Sequence, residues 1–483
     1  MKVLLLANVG NHDLQLLDRS LLPEKNDDSR WWQPRRLGEA IRDDFKRYRD
    51  SIDLPLLMPT MRWLKDHEAV DIKSDLTVHL FASDQDRALT SESEWLKDTA
   101  PLAEVIRDYF NYHWEMKKSA VQIHRIDGSP ADYANTLRFY QETLPGIRER
   151  TGECRVYMEV SGGTPAMTSM LIVMGAETFG QDVVTLYMDR DSHQPYEIAV
   201  AQALFTRKTR EALNEQISLY AYNAALQTVD QSGRLLTPDE NKRKLLRCLL
   251  RYADRRLAFD FKRARSELES AYALATGQLQ AQVKFWMREL NQPQSSTQLA
   301  ELIHSARIKL KLGDYADFTQ RLFRFQEALF RCMAERMGLE YGKSDEYASE
   351  TWAKNQPALV DYLRTYSRTA TGQINPVDLK RSLNRYSLGA IVDFYLQDAA
   401  WAHWRAPAEL AFKMSAVVEL RNKGISGHGF DGISLDDLET TYGGPADSIV
   451  HDMQQAYTAV FEVELSASPY DRVNQLIREL ITP

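Results

Sequence analysis

The chain has 483 residues and a formal net charge of -8 at pH 7. This length exceeds one ordinary hydrophobic core, so two or three domains are expected. The mildly acidic charge argues against non-specific binding of duplex nucleic acid through a broad basic face. Any nucleic acid that the protein binds must therefore meet a local basic site.

The cysteines and the apolar segments indicate a protein of the cytoplasm. Cys154, Cys248 and Cys332 stand singly, without a Cys-x-x-Cys pair that would start a zinc or redox site. The apolar segments 3–7 and 167–175 are too short for a signal peptide or a membrane span. We therefore expect reduced thiols, a cytoplasmic location and no membrane partner.

The first 200 residues alternate short β-type segments with amphipathic helical segments, which is typical of a parallel sheet covered by helices. The segment 19–75 contains Trp31, Trp32 and four prolines and is predicted to be a helical insertion. After about Thr206 the periodicity is helical. The predicted strands are 2–7, 76–82, 120–126, 155–160 and 183–188, and helices are predicted at 92–114 and 131–150.

A small-residue turn with Gly162 and Gly163 follows the predicted strand at 155–160 and leads into an apolar helix that ends near Gly180. Main-chain N–H groups at such a helix start bind anions, and Pro165 suits its first turn. The turn 8–13 lies at the same carboxyl edge of the sheet, where ligands bind in open α/β folds. The sequence predicts an anion site, although a plain tight β-to-α turn remains the alternative.

Arg421, Asn422 and His428 form a second constellation near the end of a predicted helix that begins near residue 408. Two glycines between Arg421 and His428 predict a turn that folds the histidine back towards the arginine. Such a pair suits metal-free RNA cleavage, because the imidazole moves the proton and the guanidinium holds the charge on phosphate oxygens. The alternative is a surface helix end with a solvated arginine and a histidine that caps a carbonyl.

Together these segments resemble the CARF/HEPN accessory ribonucleases of type III CRISPR systems. The segment 161–167 resembles the family's ligand loop, and 8–13 resembles its first-strand turn. Arg421-Asn422 followed by 428–431 resembles the HEPN nuclease signature at the long end of its spacing, and 313–327 resembles the helix that opens many HEPN domains. The order, with the sensor first and the nuclease last, is also that of the family.

The resemblance implies an α/β plus all-α fold: a Rossmann-like CARF domain with a parallel sheet at 1–205, a helical connector at 206–312 and an all-helical HEPN domain at 313–483. It assigns catalysis to Arg421 for charge stabilisation, His428 for proton transfer and Asn422 for orientation. The implied ligand residues are Asn8, Val9, Gly10, Asn11, His12, Asp13, Ser161, Gly162, Gly163, Thr164, Pro165 and Met167.

The implied function is a metal-independent endoribonuclease that cyclic oligoadenylate activates in antiviral defence. It acts as a homodimer, cuts single-stranded RNA to 2',3'-cyclic phosphates and needs no other cofactor. The activator is a second messenger made by a type III CRISPR effector complex, with cyclic tetra-adenylate favoured over cyclic hexa-adenylate. Slow degradation of this ligand by the CARF domain would involve His12, Asn11 and Thr164.

Two other classes remain open on the sequence. An oligoadenylate-binding regulator or scaffold would bind ligand without cutting RNA, but it leaves the segment 421–431 unexplained. A nicotinamide-dependent enzyme would need a glycine fingerprint after the first strand, which is absent. The basic segment 240–256 is interpreted as a solvated helix face. Five aromatic residues are interpreted as helical core: Trp352, Tyr362, Tyr366, Trp401 and Trp404.

Overall fold

The computed structural model describes residues 2–21, 33–189, 191–291, 295–342, 344, 346–368, 374–423 and 430–482. The chain divides into two compact units, which are Met1–Thr209 (unit 1) and Arg210–Pro483 (unit 2). The finer division of the sequence at 312/313 stays a prediction. Within the described residues, no helix is both long and apolar enough to cross a membrane.

Unit 1 contains a six-stranded sheet with the order β5-β4-β1-β6-β7-β8. All pairs are parallel except the last, in which β8 runs antiparallel to β7. All five predicted strands are confirmed, whereas β8 and the small hairpin of β2 and β3 were missed. The strands are β1 (Val3–Asn8), β2 (Gln15–Leu16), β3 (Ile52–Asp53), β4 (Leu76–Ser83), β5 (Val121–Ile126), β6 (Arg155–Glu159), β7 (Val184–Met188) and β8 (Pro195–Ile198).

Helices cover both faces of the sheet and bury two apolar clusters, one on each face. The alternation along β1 shows this directly, because Leu5 packs in one cluster and Leu6 in the other. The helices of unit 1 are α1 (Pro34–Asp43), α2 (Phe45–Tyr48), α3 (Leu57–His67), α4 (Glu92–Trp95), α5 (Ala100–Trp114), α6 (Tyr133–Thr151) and α7 (Pro165–Phe179); α8 (Val200–Ser218) contains the division between the units.

The predicted helix at 92–114 is two helices. Ser91 caps α4 by accepting the N–H of Glu94 over 3.3 Å, and α5 starts afresh at Ala100. Pro101 explains the second start, because proline lacks an N–H and is tolerated in the first turn but not in the helix interior. α6 starts at Tyr133, two residues beyond the predicted start, and Asp132 is its N-cap.

Unit 2 is helical, as predicted. Its two apolar clusters are centred on α14 and on α10, and α22 packs into the second of them through Val473 and Ile477. The helices are α9 (Tyr222–Leu236), α10 (Glu240–Leu257), α11 (Phe261–Leu274), α12 (Gly277–Glu289), α13 (Ser295–Lys311), α14 (Tyr315–Arg336), α15 (Glu350–Lys354), α16 (Pro357–Arg364), α17 (Arg385–Tyr395), α18 (Arg405–Lys413), α19 (Ser415–Lys423), α20 (Leu435–Tyr442), α21 (Ala446–Phe461) and α22 (Pro469–Ile481).

The predicted helix from residue 408 is also two helices, α18 and α19. The buried amide of Gln326 donates to the Ala411 carbonyl over 2.6 Å and to the Ser415 hydroxyl over 2.7 Å. In a continuous helix the Ala411 carbonyl would accept the Ser415 N–H, so the inserted side chain accounts for the break.

Other side chains of unit 2 refine the sequence interpretation. The helix at 240–256 is not solvated throughout, because Arg243 and Arg256 are buried and hydrogen-bonded. The five aromatic residues interpreted as helical core all pack into or against the cluster around α14.

Candidate functional site: a ligand cavity and a HEPN helix

The turns that follow β1 and β6 meet at the point where the strand order reverses. From β1 the chain continues to β4 and β5 on one side and then crosses to β6 on the other. A Cβ added at Gly10 would lie 2.7 Å from the Gly163 nitrogen, so the two turns approach at main-chain distance. Gly163 has a φ of +85°, a conformation that favours glycine. The predicted juxtaposition of the two turns is therefore observed.

A cavity of about 360 Å³ opens between these turns. Thr164 caps α7 by accepting the Met167 N–H over 3.2 Å, and Pro165 occupies the first helical position as predicted. The positive end of the helix dipole favours an anion here. Seven of the twelve predicted ligand residues line the cavity: Val9, Gly10, Asn11, His12, Gly163, Thr164 and Met167.

The remaining predicted residues shape the turns. The buried Asn8 accepts a hydrogen bond from the Tyr140 hydroxyl over 2.5 Å, which fixes the end of β1 on α6. Ser161 accepts the Met188 N–H over 2.7 Å and so joins the second turn to β7. The cavity does not include Asn8, Asp13, Ser161, Gly162 or Pro165 among its lining residues.

Other lining residues were missed by the sequence analysis. Ser83 ends β4, and the others lie in the segment after β4 or in the segment before α6. Neither segment has a glycine-rich turn or a recognisable phosphate motif. Their contribution depends on the sheet order, because β4 lies beside β1. These residues are Ser83, Gln85, Glu94, Lys97, Asp98, Thr99, Ser129, Pro130 and Ala131.

Two buried carboxyl groups lie beneath the turns. Burial raises the pKa of Glu159 to about 7 and the pKa of Asp13 to about 6. Hydrogen bonds from the Ser161 N–H to Glu159 and from the Gly10 N–H to Asp13 oppose these shifts, whereas the charge of Asp13 adds to the shift of Glu159. Both groups therefore hold their protons more strongly than usual, which limits the negative charge beneath an anion site.

We expect Glu159→Gln to gain stability over the parent chain as the pH rises from 4.5 to about 7. The pKa of Glu159 is raised in the folded chain, so the stability that its protonated form contributes is lost across this window. The gain is on the order of 1.4 kcal/mol for each unit of pKa shift. Urea unfolding of both proteins at pH values that span the window measures the difference.

A comparison of parent and variant is needed because His79 and His124 titrate with the opposite sign. Burial lowers the pKa of His79 to about 3 and of His124 to about 4, so their contribution to stability is lost as the pH falls below 6.5. This contribution is common to both proteins and cancels in the difference. A difference that stays constant with pH would contradict the raised pKa of Glu159.

Arg421 lies near the end of α19. Its guanidinium stacks on the Phe323 ring, with 4.2 Å between the central carbon and the ring centroid. Its buried Nε has no hydrogen-bond partner among the described residues. Of the other predicted catalytic groups, His428 and the side chain of Asn422 lie outside the described residues.

A hydrogen-bonded chain that the sequence analysis missed supports α19. Gln326 on α14 accepts from Arg385 over 3.2 Å, and Arg385 donates to Glu419 over 2.6 Å. Burial lowers the pKa of Arg385, and the nearby charge of Arg421 acts in the same direction. A cavity of about 610 Å³ runs along α19 beside Arg385 and Glu419. The helix that carries Arg421 is thus fixed to α14 and α17 through polar side chains.

Comparisons with known proteins agree with this architecture. Residues 289–478 match the family model of the Cas_Csm6 HEPN domain. The fold is similar to that of "Enterococcus italicus Csm6 bound to cyclic hexa-2'-fluoro-hexa-dAMP", with a TM-score of 0.65 and 16% sequence identity over 99% of this chain and 100% of that chain. No curated protein matches the sequence.

The C-terminal helical part therefore matches a HEPN domain of the Cas_Csm6 type over residues 289–478. The fold of the whole chain, with an N-terminal sheet and a helical C-terminal part, is similar to that of a Csm6. The family resemblance and the fold class expected from the sequence are confirmed.

Proposed function

We propose that this chain is a ribonuclease that cyclic oligoadenylate activates. One observation carries the proposal: a cavity suited to phosphate in unit 1 occurs in the same chain as a Csm6-type HEPN domain in unit 2. The ligand shifts an equilibrium between two arrangements of paired HEPN domains, and it does so by binding one arrangement better. The helices at 206–312 transmit this preference.

The ligand is a ring of 3'-5' linked adenylates that binds across a two-fold axis of a homodimer. A symmetric ring needs only one set of turns from each subunit, because an isologous axis supplies the second set. The main chain at Gly163 and the start of α7 suit its phosphates. The similar Csm6 is bound to a ring of six adenylate analogues, which supports cyclic hexa-adenylate as a candidate beside cyclic tetra-adenylate.

The HEPN domain cuts single-stranded RNA without a metal ion. The 2'-hydroxyl attacks the adjacent phosphorus and the 5'-oxygen leaves, which produces a 2',3'-cyclic phosphate. His428 moves the proton, Arg421 stabilises the charge on the phosphate oxygens and Asn422 orients the reacting groups. Pairing of two HEPN domains brings two copies of Arg421 to one cleft. The CARF domain also degrades its ligand slowly through His12, Asn11 and Thr164.

The test is a fluorogenic assay with single-stranded RNA, a panel of cyclic oligoadenylates and an EDTA control. We expect one ring size to accelerate cleavage, EDTA to leave the rate unchanged and mass spectrometry to find 2',3'-cyclic phosphate ends. Equal rates with and without every ring would contradict activation. Ring binding without any cleavage would favour the regulator or scaffold instead.

A further inference from the structure

The ligand cavity has a second wall, formed by the loop at 84–99 between β4 and α5. Its ends are joined by reciprocal hydrogen bonds, because the Ser83 N–H donates to the Thr99 hydroxyl over 3.1 Å and the Thr99 N–H donates to the Ser83 hydroxyl over 3.2 Å. A loop closed at its base in this way presents its inner residues to the cavity in a defined position. The loop residues on this wall are Gln85, Glu94, Lys97, Asp98 and Thr99.

Arg35 of α1 fixes this loop from behind. Its side chain is 9% exposed and donates to Asp98 over 3.1 Å, to Asp84 over 2.6 Å and to the Trp95 carbonyl over 3.1 Å. The guanidinium also stacks on the Trp95 ring at 4.3 Å from the centroid. A planar arginine fork makes these contacts together, which a lysine cannot do. The inserted segment at 19–75 therefore supplies a side chain that reaches the ligand cavity wall.

Asp98 connects Arg35 to the cavity. This carboxylate is fully buried and also accepts the Gln85 N–H over 2.8 Å and the Gln85 side-chain amide over 3.0 Å. Removing the guanidinium would leave the buried charge of Asp98 without its cation, which is costly. The conformation of the wall thus depends on Arg35.

Lys97 is the cation of this wall. It is exposed, and within 2–21 and 33–189 no carboxylate pairs with it, whereas Lys73 pairs with Glu115 and Lys118 pairs with Asp108. Among the described residues that line the cavity, Lys97 is the one lysine or arginine. An ammonium group on a flexible stem suits a phosphate as a point charge.

We propose that Lys97 binds a phosphate of the cyclic oligoadenylate and that Arg35 is a positioning residue that holds the Lys97 loop. The inference rests on the proposed function, because it assigns further residues to the same site. It also gives the inserted segment a role in ligand binding.

Lys97→Ala should raise the Kd for the activating ring about 10-fold or more, because the variant loses one charge-assisted hydrogen bond to the ligand. Isothermal titration with cyclic tetra-adenylate and cyclic hexa-adenylate measures it. Lys117→Ala is the matched control, since Lys117 is exposed and precedes β5 at the opposite edge of the sheet. Glu94→Gln removes a negative charge from the same wall and should lower the Kd.

Arg35→Met keeps an apolar stem and removes the guanidinium, so it should raise the Kd about 10-fold. The Kd of Arg35→Lys should lie between those of Arg35→Met and the parent. The ligand concentration for half-maximal RNA cleavage should rise in step, while the rate at saturating ligand stays within about two-fold. A purely structural role would lower the unfolding temperature without changing the Kd of the folded protein.

The results separate this inference from the function on which it rests. If the parent chain binds neither ring, the proposed function fails. If the parent binds a ring and Lys97→Ala binds it as tightly as Lys117→Ala, only the assignment of Lys97 fails. An unchanged Kd in folded Arg35→Lys and Arg35→Met overturns the positioning role, and Arg35→Lys decides alone if Arg35→Met does not fold.

Discussion

Arg421→Ala should lower the activated rate of RNA cleavage by about 10³-fold, while the Kd for cyclic oligoadenylate stays at the parent value. The expected loss is large because the role proposed for the guanidinium is to stabilise charge that develops only in the transition state. The Phe323 ring holds the plane of this guanidinium, and the Gln326 amide fixes the start of α19. The group is therefore preorganised, which is the condition under which such stabilisation is strong.

Arg421→Lys should recover little of the lost rate. A lysine keeps the charge but loses the planar fork and the stacking on Phe323, so it cannot hold two phosphate oxygens in the same geometry. Arg364→Ala is the matched control, because this arginine is 71% exposed on α16 and, among the described residues, pairs with the similarly exposed Asp361 alone. Single-turnover cleavage of a labelled RNA at saturating ligand measures all three variants.

His428→Ala tests whether the two residues act as a unit. If they act in one step, the double variant Arg421→Ala, His428→Ala should be hardly slower than either single variant. Cleavage by His428→Ala at the parent rate would remove the histidine from the mechanism. Multiplied losses in the double variant would show that the two side chains act in separate steps.

The sequence predicted those elements whose signals are local. Five strands carry continuous β-type segments, and the turn at 161–167 combines small residues with a proline at a helix start, so these were found. The hairpin of β2 and β3 has only two residues in each strand, and β8 is a short antiparallel edge. Such short strands are stabilised by pairing with other strands, so their own residues carry little sequence signal for a strand.

The missed site residues depend on contacts between segments far apart in the chain. Arg35 and Asp98 are 63 positions apart, and Gln326 and Ser415 are 89 positions apart. Neither pair lies in a sequence motif. The sheet order places the 84–99 loop beside the first turn, and no single segment of the sequence predicts that order. α22 also packs against α10, so helices from both sides of 312/313 share one apolar cluster. The sequence alone therefore gives no sharp domain boundary at that point.

Glu301→Gln should destabilise unit 2 by about 3–5 kcal/mol, because it breaks a buried ion pair from one side. Glu301 on α13 is 1% exposed and accepts from Arg256 on α10 at 2.9 Å. The Tyr470 hydroxyl on α22 donates to the other oxygen of this carboxylate. Three helices that are distant in the sequence therefore meet at one buried charge.

The amide of the variant has nearly the same shape as the carboxylate, so the loss reports charge rather than packing. Among the described residues, Arg256, 3% exposed, would keep a hydrogen bond to Tyr252 at 2.6 Å, a longer contact to Glu289 at 3.4 Å and the neutral amide oxygen of the variant. None of these replaces the charge of a carboxylate that receives two guanidinium nitrogens. A buried cation with incomplete pairing is the source of the expected cost.

Asp361→Asn is the control for an exposed pair. The side chains of Asp361 and its partner Arg364 are both more than 70% exposed. Loss of this ion pair should therefore change the free energy of unfolding by about 0.5 kcal/mol or less. Urea unfolding followed by circular dichroism measures both variants against the parent. Equal stability of Glu301→Gln and the parent would mean that the pair does not hold α10, α13 and α22 together. A large loss would instead identify this buried charge as a link between α10, α13 and α22.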